Sequence, residues 1–217
     1  ITAVESVVWV IDIAKGVEKQ TEKLVSVCRM RNTPIIVFIN KLDRFGKETF
    51  DLLDEIEKKL GLTVCPLAWG IGMGSDFKGV YNIYEQKLRL FAAHGKQLKE
   101  DTIEIDDLEN ADLDQYIRPF GDELREELEI VREVYPTFER EKYLSGEISP
   151  VFFGSAINNF GVKELLDAFV EIAPPPQANE TDLGSVQPDD TKFSGFVFKI
   201  HANMDPKHRN RLAFVRV

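Results

Sequence analysis

The residues Pro34-Ile35-Ile36-Val37-Phe38-Ile39-Asn40-Lys41-Leu42-Asp43 form an apolar run that ends abruptly in a polar tetrad. A run this short and this rich in β-branched residues reads as a strand buried on both faces, which belongs inside a parallel sheet covered by helices. The tetrad then stands at the carboxyl end of the strand. In open α/β sheets that edge is where ligands bind.

The surrounding pattern extends the same architecture. Ser6-Val7-Val8-Trp9-Val10-Ile11-Asp12 is a second apolar strand closed by an acid, and Ala14 to Glu18 is a turn. Lys19 to Met30 places Leu24, Val27 and Cys28 at helical spacing, which completes one βαβ unit. Glu48 to Leu60 repeats the helical pattern through Phe50, Leu53, Ile56 and Leu60, with Gly61 as its C-cap. Thr63 to Gly74 reads as one strand running into a glycine-rich turn, and Gly79 to Phe91 as a hairpin.

The formal charge of −10 is unevenly distributed. Residues 100–149 hold 17 acidic and 5 basic side chains, and within them Leu124, Leu128 and Val131 mark a helix. That stretch is expected to be a solvated helical excursion, not a metal site. Residues 191–217 carry six Lys or Arg against one Asp, so a polyanion such as RNA is able to meet this end.

The α/β rhythm resumes with Ser149 to Phe153, a strand that runs into Gly154-Ser155-Ala156. A helix with Val162, Leu165, Leu166, Phe169 and Val170 on one face follows, and Ala173-Pro174-Pro175-Pro176 ends it. The expected organisation is an α/β domain over 1–176, doubly wound with a mostly parallel sheet and an insertion at about 66–148. A linker over 177–191 and the opening of a β-barrel domain over 192–217 complete it. Cys28 and Cys65 are the only cysteines, which excludes a disulfide framework and suits a reducing cytosol. No apolar run approaches the ~18 residues of a membrane span.

The tetrad has a definite chemistry. A guanine presents two adjacent N–H donors on its Watson–Crick edge, and one ionised carboxylate accepts both, so Asp43 is the residue expected to select the base. Lys41 would lay its aliphatic stem along the base, and Asn40 would bridge the base and a neighbouring loop. An Asp after a buried strand also suits a helix N-cap, and the tetrad alone does not separate the two readings. The second loop does. Gly154-Ser155-Ala156 closes another buried strand, where the Ala156 N–H is expected to meet the guanine carbonyl oxygen and Ser155 to hold Asp43.

With both motifs in view the chain resembles the translational GTPases. Asn40-Lys41-Leu42-Asp43 and Gly154-Ser155-Ala156 are similar to the fourth and fifth sequence elements of a GTP-binding domain, and Val10 to Thr21 resembles this family in particular. Phe196-Val197-Phe198-Lys199-Ile200-His201-Ala202-Asn203-Met204-Asp205-Pro206-Lys207-His208-Arg209 resembles the bacterial peptide chain release factor three branch more than elongation factor G.

The resemblance implies a P-loop-type GTPase domain that binds GTP or GDP with Mg²⁺, its base held by Asn40, Lys41, Asp43, Ser155 and Ala156. It also implies a cytoplasmic protein whose partners are the ribosome and the decoding release factors, which it recycles in translation termination. Ribosomal RNA contact through the basic C-terminal segment is a further expectation. An elongation factor G-like or ribosome-protection GTPase is the neighbouring reading, and a non-catalytic ribosome- or protein-binding module the reading from another class. The 217 residues contain no Gly-x-x-x-x-Gly-Lys-Ser/Thr loop, and none of His94, His201 or His208 matches the family's catalytic histidine. The sequence is therefore read as an interior stretch with no catalytic residue and no metal ligand of its own, inactive in hydrolysis by itself.

Overall fold

The structure, a computed structural model, describes residues 4–91, 102–104, 108, 111–182, 184–202 and 211–217. In chain order the elements are β1 (Val7–Asp12), α1 (Lys19–Met30), β2 (Ile35–Asn40), α2 (Thr49–Leu60), β3 (Thr63–Pro66), β4 (Ala68–Ile71), β5 (Gly79–Asn82), β6 (Lys87–Leu90) and β7 (Thr102–Glu104). They continue with α3 (Ala111–Ile117), α4 (Gly121–Val134), α5 (Arg140–Leu144), β8 (Ile148–Gly154), α6 (Val162–Ile172), β9 (Asn179–Thr181), β10 (Gly184–Val186), β11 (Phe196–Ala202) and β12 (Arg211–Arg216). Two compact units result, one of them Ser6–Ala173 and the other holding Pro174–Val217.

The larger unit is built on a parallel sheet of order β1-β2-β8-β3. Its two central strands are β2, the run read as buried on both faces, and β8, read as another buried strand. Ile35 to Ile39 are all buried, and so is every residue of β8. Full burial of a side chain of this size contributes about 1.5–3 kcal/mol, so these strands anchor the core. Register then sets the site: Asp12 stands beside Asn40, and Asn40 beside Gly154, all at carboxyl ends. Helix α2 packs Leu52, Leu53, Ile56 and Leu60 inward and stops at Gly61 in the left-handed region.

Between Pro66 and Ile148 the chain leaves this sheet. Strands β4 to β7 form a four-stranded antiparallel sheet, and α3 to α5 follow. Thr63 to Gly74 is therefore two strands, not the one expected: β3 pairs with β8, whereas β4 pairs with β5. Leu67 lies at the changeover, its N–H donating to Val151 O while its carbonyl accepts from Ile83.

Two helix faces also differ from the expected ones. In α1 the buried residues are Val25 and Cys28, while Leu24 and Val27 are exposed. Among the described residues, strand β1 is the edge of the parallel sheet, and α1 packs against α2 on one flank. In α6 the buried face is Glu164, Leu165, Ala168 and Ile172, with Leu166 and Val170 exposed. Glu164 turns inward to pair with Arg89 Nε at 2.6 Å, and this rotates the apolar stripe.

Helix α4 is acidic outside but packed inside, through Leu124, Leu128 and Val131, so it is not fully solvated as expected. The thiols of Cys28 and Cys65 are both buried, and burial pushes Cys65 up to about 12. No helix among the described residues is long and apolar enough to cross a membrane.

The smaller unit contains two antiparallel hairpins, β9–β10 within the stretch read as a linker and β11–β12 after it. Within this unit Arg216 Nη2 bonds Glu5 Oε1 at 2.5 Å. His94 and the segment 203–210, with Lys207, His208 and Arg209, lie outside the described residues.

Candidate functional site

Three strand ends meet along one edge of the parallel sheet. Asn40 closes β2, and its side-chain Oδ1 accepts two backbone N–H groups, from Lys41 and from Ala156, each at 2.8 Å. Both lone pairs of that oxygen are thereby used. What Asn40 offers a ligand is its amide N–H₂. The Ala156 N–H is donated to Asn40, and so the two loops are joined directly.

Lys41 adopts a left-handed backbone with φ of 73°. For a side chain with a Cβ this costs roughly 1–3 kcal/mol, and such strain is held by surrounding contacts. Here they are the Asn40 Oδ1 bond to its N–H and the Arg44 N–H donating to its carbonyl at 2.9 Å. The ammonium reaches Asp12 Oδ2 at 2.7 Å. Asp12 also accepts the Ala14 N–H at 2.9 Å. The Lys41 hydrogen bond, reinforced by these backbone donors, holds the Asp12 carboxyl below its ordinary value against the opposing effect of burial. Sequence reasoning gave Asp12 no part in the site. The signal was present in its placement, since Asp12 closes β1 just as Asn40 closes β2.

Asp43 is half-buried, and its Oδ1 accepts the hydroxyl of Ser155. Ser155 is fully buried and accepts in turn from Asn158 Nδ2 at 2.7 Å. The backbone around it is tight. Ser155 and Phe160 exchange N–H···O bonds at 3.0 Å, and Gly161, with φ of 73°, lies so close that a Cβ there would stand 2.3 Å from Phe153 O. One Asp43 oxygen is thus oriented by Ser155, and a carboxylate retains further lone pairs for two parallel N–H donors. All five residues singled out in the sequence, Asn40, Lys41, Asp43, Ser155 and Ala156, stand in these two adjoining loops.

Residues 1–175 match the sequence profile of the elongation factor Tu GTP binding domain. Among solved structures, the chain is similar to a crystal structure of a protein from Thermus thermophilus, with a TM-score of 0.63 and 19% identity. That likeness, which is one of fold, covers 99% of this chain and 32% of the other, so the chain spans about a third of that protein's length. On a parallel α/β sheet that sets Asn-Lys-Leu-Asp beside Gly-Ser-Ala at adjacent strand ends, the profile match over residues 1–175 means that the chain belongs to the elongation factor Tu GTP-binding domain family, a family of translational GTPases.

Proposed function

We propose that these residues are the base-reading part of a longer, cytoplasmic, ribosome-associated GTPase of the release factor three kind, which uses GTP to recycle decoding release factors in termination. The observation that carries the guanine part is the Ser155 hydroxyl held on Asp43 while Asn40 bonds the Ala156 N–H. In this reading Asp43 accepts the guanine ring N–H and amino group, and Ser155 fixes the carboxylate. The Asn40 amide donates to the base, and the Lys41 stem covers its face. The Ala156 N–H is shared between Asn40 and the guanine carbonyl oxygen.

GTP supplies the phosphoanhydride bond that is cleaved. The 217 residues contain no phosphate-loop motif, so phosphate positioning and Mg²⁺ binding are assigned to other parts of the protein, and residues 1–217 alone are expected to give no GTP turnover.

Termination is distinguished from the neighbouring activities by the Phe196 to Arg209 text, part of which lies outside the described residues. The test is a ribosome assay with the full-length protein. Post-termination ribosomes carrying a labelled decoding release factor should lose it on addition of the protein and GTP, and not with GDP alone. Release that is independent of the protein, or GTP-dependent tRNA translocation in its place, contradicts the termination reading.

A further inference from the structure

Leu42 is the member of the tetrad with no polar task, and it is the side chain by which the tetrad is seated. It is 2% exposed. Its N–H donates to Gly154 O at 3.2 Å, and its carbonyl accepts from Gly74 N–H at 2.8 Å. Against its isobutyl group lies Gly70, in the middle of β4. A methyl on Gly70 would stand 2.4 Å from Leu42 Cδ2 and 3.9 Å from Phe153 Cβ.

Gly70 has a strand backbone, paired with Val80, so conformation does not require a glycine there. Space does. The residue before it, Trp69, packs its ring on Phe153 with 5.4 Å between centroids and on Phe50 with 5.0 Å. Consecutive residues of one antiparallel strand thus touch the centre of the first loop and the strand that delivers the second. A close-packed interior has little room to receive a displaced Leu42 side chain, so the strain is passed to its tethered backbone.

We infer that Gly70 is a specificity-determining, positioning residue, whose missing side chain sets the depth at which Leu42 seats and thereby the place of the Asp43 carboxylate. The inference rests on the guanine-reading role assigned to Asp43 above. It gives the segment between β3 and β8 a part in base selection with no contact to the base.

The experiment measures binding of GDP and IDP to the full-length protein by calorimetry, with a thermal melt for each variant. Hypoxanthine lacks the 2-amino group, so the ratio of the two affinities reports how well Asp43 is placed. The unsubstituted protein should prefer GDP, and Gly70→Ala should lower that preference about tenfold, as loss of a hydrogen bond to a charged group does. Adding Leu42→Val to Gly70→Ala, which removes the methyl that the new Cβ would meet and keeps an apolar side chain to seat the tetrad, should recover most of the preference.

An unchanged ratio in folded Gly70→Ala overturns the inference, and so does a double variant no better than the single one. A purely structural role would lower the melting temperature and leave the ratio intact. If Gly70→Ala does not fold, Leu42→Ala alone carries the test: it should lower the ratio by unseating the tetrad, and an unchanged ratio overturns the proposal. A parent protein with no preference for GDP over IDP would sink the base-reading role itself, and the inference with it. A preference insensitive to Gly70 and Leu42 sinks only the inference.

Discussion

Asn40 Oδ1 accepts the Ala156 N–H at 2.8 Å across 116 positions of sequence. The bond ties the loop after β2 to the loop after β8, so the two halves of the proposed base site are held in register by a side chain that is itself proposed to read the base. This dual use is separable by substitution. Asn40→Asp keeps an acceptor for both N–H groups but loses the amide donors, and Asn40→Ala loses both. In urea denaturation Asn40→Asp should stay within about 0.5 kcal/mol of the parent, whereas Asn40→Ala should lose about 1–2 kcal/mol by leaving donors unpaired. Calorimetry should show weaker GDP binding for both. Equal stability of the two variants would remove the bridging role.

The Lys41–Asp12 pair predicts a pH dependence with a definite sign. The Asp12 carboxyl is held below its ordinary value in the folded protein. Its contribution is therefore complete above the unfolded aspartate pKa of about 3.9 and fades as pH falls through the lower folded value. Asp12→Ala should cost on the order of 1 kcal/mol at pH 7, because the pair is only partly buried. Urea melts at pH 7 and at about pH 3 should show that difference shrinking at the acid end. A difference constant across this range would mean that the charge of Asp12 is not what stabilises the loop.

Much of the fold was legible because its signals are strong. Strand β2 announces itself by an unbroken apolar run and β8 by Val151-Phe152-Phe153, and the two loops by sharp changes of composition at the strand ends. Helix faces were less so. In α1 the positions 24, 25, 27 and 28 are all Leu, Val or Cys, and only the presence of a neighbour on one flank decides that Val25 goes in and Leu24 does not. In α6 the ion pair of the buried Glu164 with Arg89 accompanies a turned helix face, and a search for large apolar residues passes over both Glu164 and Ala168.

The candidate site followed the same division. The Ser155–Asp43 hydrogen bond was expected from the motifs, because each sits at a strand end in one sheet. Asp12 was not, since its partner is 29 residues away and only the parallel register of β1 and β2 brings them together.

Glu127 gives a second pH effect, opposite in sign. Burial raises its carboxyl to about 7, with Glu123 and Glu48 adding to the rise and the Trp69 Nε1–H, which donates to Oε2 at 2.8 Å, opposing it. A carboxyl raised on folding weakens the fold as pH climbs from the unfolded value of about 4.3 toward 7, and the penalty is complete above that. Glu127→Gln keeps an acceptor for the indole and removes the charge. Its stability should exceed that of the parent by about 1 kcal/mol at pH 8, discounted for solvent screening, and match it near pH 4.5. Denaturant melts followed by tryptophan fluorescence measure this directly. A Gln variant less stable than the parent at pH 8 would show that the ionised carboxylate is favourable where it stands.

The central claim is that Asp43 reads a guanine, and base exchange tests it most directly. In Asp43→Asn an amide N–H replaces a carboxylate lone pair, which suits the 2-carbonyl of xanthine and no longer accepts both guanine donors. Calorimetric titration of the full-length protein with GDP and XDP should show the parent preferring GDP. The Asp43→Asn protein should prefer XDP, with GDP affinity reduced by about tenfold or more. An Asp43→Asn protein that still prefers GDP at the affinity of the parent would contradict the account.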